Sequence, residues 1–302
     1  MARWYPITKP IWHLKLKNIF KTLFQNIEFI IFVFLNKSLK LLSFNTASNL
    51  GGFLVSTFGP LTKYSNIISK NLENLECEKS LISSISKQNL SQTGRVFFEF
   101  FNLNKFNWKS IFVENEKYLQ EIKEYQGSKI FISAHIGNWE ITRNYLLNLG
   151  FKLHSVYRHA NNQKIDQYIQ KNRSRENAYF YKKGSDSAKN MVKALKNNED
   201  LALLVDQRDS SGPIINFLGK KAYATDGFAN LALKYQTMIC PVYSIRQKKG
   251  NFKFIYEKPL YFKDYKDLSA YNLVEKVHTD YFEKWIRENP TQWLWVHQRW
   301  RL

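Results

Sequence analysis

The chain has 302 residues, 44% of them hydrophobic, and carries 45 Lys+Arg against 25 Asp+Glu for a formal charge of +20. That is enough apolar material for a large core, and it excludes a chain disordered by composition. The charge asks for an acidic partner: nucleic acid, anionic lipid, a phosphorylated substrate or an acidic carrier protein. Lys, Asn, Ile and Phe are all abundant, a bias that AT-rich coding also produces, so part of the charge carries no functional meaning.

Residues 1–44 are aromatic, apolar and basic, with Lys or Arg at 3, 9, 15, 17, 21, 37 and 40 against the single acid Glu28. The apolar heart, Phe29 to Leu35, is far shorter than the roughly 20 residues of a spanning helix. No small-residue cleavage site follows, which argues against a secretory signal. The stretch predicts a helix lying on or dipping into a membrane, its cations against anionic head groups; a buried N-terminal helix is the alternative. Residues 45–70, with Gly51-Gly52 and Gly59-Pro60, read as turns between short helices, and 71–126 as mainly helical. The cluster Phe97, Phe98, Phe100 and Phe101 belongs to a core or to an acyl pocket.

From 128 strands and helices alternate, the pattern of an α/β layer fold. Strands are expected at 129–134, 152–157, 201–205, 238–245 and 251–257, with a hairpin at 214–217 turning at Gly219-Lys220. Helices are expected at 139–149, up to Arg175, at 187–197, at 226–235 capped by Thr225, and at 272–288. The run 201–205 reads as a buried central strand. The whole predicts one α/β domain with a mixed, mainly parallel sheet flanked by helices, over 45–302, led in by helices at 45–127. No repeat, long linker or Gly-rich phosphate loop is present, and no G-x-S-x-G elbow marks a serine acyl-enzyme. Cys77 and Cys240 stand in no disulfide or zinc spacing, so no metal is expected and a reducing compartment is the default; Cys240 reads as a buried, inert thiol.

The stretch Ile130 to Glu140 is where chemistry is expected. His135 stands past a strand end, where an open α/β sheet presents its site, and Glu140 follows five residues on. A carboxylate beside such a histidine fixes its tautomer and stabilises the imidazolium that forms as a hydroxyl loses its proton. Gly137 allows a sharp turn and Asn138 is a helix N-cap. From spacing alone, a general base and a satisfied core histidine both fit.

His135-Ile-Gly-Asn-Trp-Glu140 resembles the H-x4-D/E box of the lysophospholipid acyltransferase superfamily, in the form found in lipid A late (lauroyl/myristoyl) acyltransferases. Tyr157-Arg158, Asn161-Asn162, Arg173, Val205-Asp206-Gln207, Phe217-Leu-Gly219, Thr225-Asp-Gly227, Pro241 and Trp293-Leu-Trp-Val-His-Gln-Arg-Trp300 follow in the family's order. The resemblance runs from about Leu41 to the C-terminus. Two departures are visible: no proline follows Arg158, and no glycine follows Arg173-Ser-Arg175. The resemblance implies direct transfer of an acyl chain from a thioester to a hydroxyl of a lipid A precursor, in lipopolysaccharide biosynthesis at the cytoplasmic face of the inner membrane. It implies His135 as base and Glu140 as its support, with Arg158 and Asp206 at a phosphorylated acceptor and Asn138, Gln207 and Arg173 also at the substrate. The donor is expected to be an acyl carrier protein thioester, or alternatively an acyl-CoA serving another glycolipid or phospholipid; no other cofactor is implied. Backbone amides near Gly137 are expected to stabilise the oxyanion. The Trp- and Arg-rich end reads as packed near the acceptor or as purely structural. A nucleic-acid partner is not expected, since the basic residues are dispersed and no recognition signature appears.

Overall fold

The computed structural model describes residues 11–75 and 78–301; Arg3, Lys9 and Cys77 lie outside them. Nine strands are formed among these residues: β1 Ile111–Glu114, β2 Lys129–Ser133, β3 Leu153–Tyr157, β4 Ala178–Lys182, β5 Asp200–Leu204, β6 Ile214–Phe217, β7 Lys220–Tyr223, β8 Met238–Arg246 and β9 Phe252–Tyr256. Seven make one sheet in the order β1-β9-β8-β2-β5-β3-β4, while β6 and β7 form a separate hairpin. Every neighbouring pair in the sheet is parallel except β8 with β9. The mixed, mainly parallel sheet read from the alternating pattern is therefore present.

The helices are α1 Ile11–Leu39, α2 Phe44–Phe58, α3 Lys63–Leu72, α4 Lys79–Phe100, α5 Glu116–Glu124, α6 Trp139–Asn148, α7 Gln163–Arg173, α8 Ser185–Lys196, α9 Gly227–Tyr235, α10 Ala270–Val277 and α11 Lys284–Glu288. β2 is buried along its whole length, so its alternating side chains serve two cores. Phe131 packs with Ile122 of α5 and Leu146 of α6. Ile130 and Ile132 join Leu195 of α8, Phe228 of α9 and Trp285 of α11. Cys240 is fully buried between strands, and that burial pushes its thiol up, the inert state expected of it.

α1 is one helix of 29 residues. Its stretch Ile19–Leu39 is long and apolar enough, by length and composition, to cross a membrane, which the short apolar heart alone did not indicate. The polar residues within it have a local reason. Asn162 at the head of α7 donates to the Gln25 carbonyl (2.8 Å) and to Glu28 Oε2 (2.9 Å), and Tyr168 donates to Asn36 Oδ1 (2.8 Å). Glu28 and Asn36 thus form a helical stripe laid against α7, with the Gln25 backbone on the same side. The other faces are apolar and open: Phe20, Phe24, Ile30 and Phe34 are each 66–70% exposed.

Four local expectations are corrected. Gly51-Gly52 lies inside α2 and not in a turn. α2 crosses α4 there so closely that a Cβ on Gly51 would stand 2.5 Å from the Gly94 carbonyl oxygen; glycine serves the helix contact. The lead-in is mainly helical as expected, but it also carries a strand that was not expected, β1, which forms the sheet's edge. β4, the opposite edge, falls in a stretch read without a strand; its half-exposed, alternating side chains dilute the apolar signal. Thr225 does not cap α9, whose N-cap Asp226 makes no side-chain bond.

α10 and α11 are joined by a single π turn, His278–Glu283. His278 is buried at its start, its Nδ1–H donated to the Val274 carbonyl at 2.9 Å, between Phe217 and Phe282. Burial first, and then the Arg299 charge, push its imidazole from 6.5 down to about 3. The folded state therefore keeps His278 neutral where the unfolded chain protonates it. Its contribution is complete above pH 6.5 and is lost as pH falls toward 3. The expected result is a loss of about 1.4 kcal/mol per pH unit below 6.5. Urea midpoints measured against pH should show this component vanish in His278→Gln; an unchanged acid limb would refute it.

Candidate active site

The site is set by register. β2 and β5 are parallel neighbours with Ser133 opposite Leu204, and Val205 N–H still donates to the Ser133 carbonyl at 3.1 Å. Two residues beyond that last pair on each chain stand His135 and Asp206. Asp206 Oδ1 lies 2.7 Å from His135 Nδ1, and Oδ2 accepts the His135 backbone N–H at 2.8 Å and the Trp293 indole N–H at 2.8 Å. Burial alone would push the Asp206 carboxyl up, but the charge and hydrogen bonds of His135, with the Trp293 N–H, reverse this and hold it well below the usual carboxylate range. An ionised Asp206 accepts only, so His135 carries its proton on Nδ1 and its lone pair on Nε2.

This corrects two expected roles. The carboxylate that orients His135 is Asp206, and Asp206 is 2% exposed and fully engaged, so it does not reach an acceptor. Glu140 is hydrogen-bonded to Arg173 of α7 instead. Glu140 is close in sequence, but the intervening turn and the first residues of α6 aim it at another helix.

The turn leaves no choice of residue. Gly137 has φ +57, and a Cβ there would stand 1.7 Å from the Ser244 carbonyl oxygen. Asn138 caps α6 as expected, accepting from Glu140 N–H (3.0 Å) and Ile141 N–H (3.1 Å). It is fully buried and its amide donates to Glu99 Oε2 at 2.7 Å, so it is structural and not a substrate contact. Two of the expected oxyanion donors are taken: Ile136 N–H bonds the Ala134 carbonyl and Gly137 N–H the Gln292 carbonyl. The C-terminal segment locks the turn, Leu294 N–H donating to the His135 carbonyl at 2.8 Å. Its Trp293, Trp295 and Arg299 are buried, so these side chains pack into the core.

Two cavities meet at His135. The smaller, about 310 Å³, is mixed in lining and basic: Arg143, Arg158 and Arg173 line it with Ser133, Ser155 and Tyr157, beside apolar residues such as Phe131, Leu146 and Val242. Glu140 is its one acidic residue. Ser133 Oγ, Arg143 Nη2 and Arg173 Nε are buried without a hydrogen-bond partner, and such groups call for a polar ligand. Burial pushes the Arg143 guanidinium down to about 10. Arg158 is exposed at the cavity, past the end of β3 as the sequence indicated, with no ion pair among the described residues. The second cavity, about 990 Å³, is apolar and runs between α1, α2 and α4; Phe97, Phe98, Phe100 and Phe101 all line it, with Phe32, Leu35 and Leu54. His135, Trp139, Glu140, Arg173 and Gln207 line both. A histidine lone pair thus sits where an apolar cavity meets one lined by three arginines.

Gln207 and His297 complete the junction. The Gln207 amide donates to His135 Nε2 at 3.1 Å and to His297 Nε2 at 2.9 Å. Sequence reasoning did not single out Arg143, Trp293 in its bond to Asp206, or His297. Arg143 lies one helical turn past Glu140, and His297 lies inside the C-terminal Trp-rich box, so only the chain's path brings them to His135. Among the described residues no cluster of three or more His, Cys, Asp or Glu stands ready for a metal.

The family model described as bacterial lipid A biosynthesis acyltransferase matches residues 17–302. No curated protein matches the chain. Among solved structures, the 1-acyl-sn-glycerophosphate (LPA) acyltransferase PlsC from Thermotoga maritima is similar at 13% identity, covering 85% of this chain and 99% of that one, with a TM-score of 0.37.

Proposed function

Because the chain belongs to the bacterial lipid A biosynthesis acyltransferase family, we propose that it moves a fatty acyl chain from an acyl carrier protein thioester to a hydroxyl of a phosphorylated lipid A precursor. One observation carries the reading: the His135 lone pair lies at the junction of an apolar cavity and a cavity lined by three arginines. The acyl chain enters the Phe-lined space. The acceptor's phosphate is held by Arg143, Arg158 and Arg173, guanidinium groups suited to bidentate contact. The acceptor hydroxyl replaces the Gln207 amide at His135 Nε2 and loses its proton as oxygen attacks the thioester carbonyl. Asp206 orients the ring and stabilises the imidazolium. Collapse breaks the C–S bond, and the proton passes from Nε2 to the departing sulfur. Glu140 holds Arg173 in the acceptor cavity.

α1 supports membrane association. Its polar stripe binds along α7 while its apolar faces are open, an arrangement suited to lying at an interface with its basic residues on anionic lipid. The cytoplasmic face of the inner membrane is where carrier thioesters and the glycolipid would both be available.

Membranes containing the protein should add a single acyl mass to a tetra-acylated, bis-phosphorylated lipid A precursor supplied with carrier thioesters, and His135→Ala should abolish it. Transfer from acyl-CoA alone, or to another lipid, would reassign donor or acceptor. Full activity in His135→Ala would sink the mechanism.

A further inference from the structure

Transfer from a thioester builds negative charge on the carbonyl oxygen, and a donor must stand within about 3 Å of that oxygen. Within the turn, the amides of Ile136, Gly137, Glu140 and Ile141 are bonded to protein acceptors, and those of Asn138 and Trp139 stand outside this set. Gln207 has a different situation. It follows Asp206 at the end of β5, lines both cavities, and its amide nitrogen stands 3.1 Å from the very lone pair the acceptor hydroxyl must reach.

The hydrogen bonds fix a single proton arrangement. Ionised Asp206 accepts from His135 Nδ1–H, leaving Nε2 to accept from one Gln207 N–H; the second Gln207 N–H is donated to His297 Nε2. His297 can accept only while it is neutral. Burial first, with the nearby Arg158 charge also lowering it, holds its imidazole below its ordinary value, against the opposing pull of Asp206. Of the two N–H bonds, the one to His135 must break when the hydroxyl arrives, and the one to His297 need not.

We propose that the Gln207 side-chain amide is the oxyanion donor of the acyl transfer, and that His297 is the positioning residue that holds it. The inference rests on the acyl-transfer reading above. When the acceptor hydroxyl takes the Nε2 lone pair, the displaced Gln207 N–H turns to the thioester carbonyl oxygen. The hydroxyl oxygen bonds to the carbonyl carbon, its proton goes to His135 Nε2, and the carbonyl π pair becomes the oxyanion held by Gln207. Re-formation of the C=O bond expels the sulfur, which takes the proton back. His297 keeps the amide at the junction throughout. The same contact explains the placement of a histidine in the C-terminal box: Asn71 Nδ2 donates to its backbone carbonyl at 2.7 Å, fixing the segment that presents the ring.

The test uses the full chain in the His135→Ala form, which binds thioester without turnover. A long-chain acyl carrier protein thioester and acyl-CoA, each with an isotope-labelled carbonyl, are bound and the carbonyl stretch is read by infrared difference spectroscopy. The stretch should move to lower frequency on binding, and Gln207→Met in the same background should abolish the shift. In the otherwise intact enzyme, Gln207→Met should lower kcat by about 10²–10³-fold with little change in thioester KM. His297→Ala should lower kcat in the same sense but less, and His297→Gln, which keeps an acceptor at that reach, should restore part of it. A bound thioester whose stretch is the same with and without Gln207, or a Gln207→Met enzyme changed only in KM, overturns the inference while leaving the acyl-transfer reading intact. Failure of both thioesters to bind the His135→Ala protein sinks that reading and this inference with it.

Discussion

Asp206→Asn should lower kcat by about 10⁴-fold while the protein stays folded and both KM values stay near their starting points. The reason is the direction of each hydrogen bond. Oδ2 of Asp206 receives two N–H groups that cannot turn away, the His135 backbone amide and the Trp293 indole. An asparagine must place its carbonyl oxygen there, so its NH2 faces His135 Nδ1. The ring then keeps its lone pair on Nδ1 and its proton on Nε2, the wrong tautomer for removing a hydroxyl proton. Geometry survives and the base is lost. Glu140→Gln is the contrast. It keeps an oxygen for Arg173 and leaves the His135 tautomer alone, so its loss should be smaller and appear in the KM for the phosphorylated acceptor. Steady-state kinetics on the two variants decide the matter. A crippled Glu140→Gln beside a healthy Asp206→Asn would return the orienting role to Glu140.

The sequence made the sheet legible because β2, β5 and β8 are near-continuous apolar runs, and it made His135 legible because a histidine after such a run stands at a strand's carboxyl end. It also placed Asp206 and Gln207 at a second strand end. What it could not show is that β2 and β5 are neighbours in register. That pairing is a long-range fact, and it alone moves the partner of His135 from a residue five positions away to one 71 positions away. The same limit hid Arg143 and His297. Conversely, Asn138 was legible as a cap by its type and position, and its capping geometry is what removes it from the substrate. The Phe97–Phe101 cluster was open between core and acyl pocket, because aromatic residues on a helix look alike until the facing elements are known; here α1 and α2 leave a cavity before them. Leu204 shows the reverse case. Its run reads as fully buried, yet it is 37% exposed, because the strand's last residue lines the arginine-bearing cavity.

Arg246→Ala should cost about 3–5 kcal/mol of stability, because it strands a buried carboxylate. Glu99 of α4 is 0% exposed and lies 2.6 Å from Arg246 Nη1 at the end of β8, with a second bond from Nη2 at 2.7 Å. Arg246 is further fixed by Gln92 Oε1 at 2.7 Å. Such a loss is a large share of the roughly 5–15 kcal/mol that holds a domain folded. The effect extends beyond stability, since Glu99 Oε2 also accepts the Asn138 amide. Asn138 in turn caps α6 and, through its carbonyl, accepts from Thr142 Oγ1 and Ser244 Oγ. The ion pair therefore braces the turn that carries His135 on one side and Glu140 on the other. Arg246→Ala should show a lowered urea midpoint and, at temperatures where it remains folded, a reduced kcat. Glu99→Leu combined with Arg246→Met removes both charges and should recover most of the stability. It still leaves the Asn138 amide without its acceptor, so activity should recover less. Equal recovery of midpoint and kcat in the double variant would mean that the pair serves only to join α4 to the sheet, with no bearing on the catalytic turn.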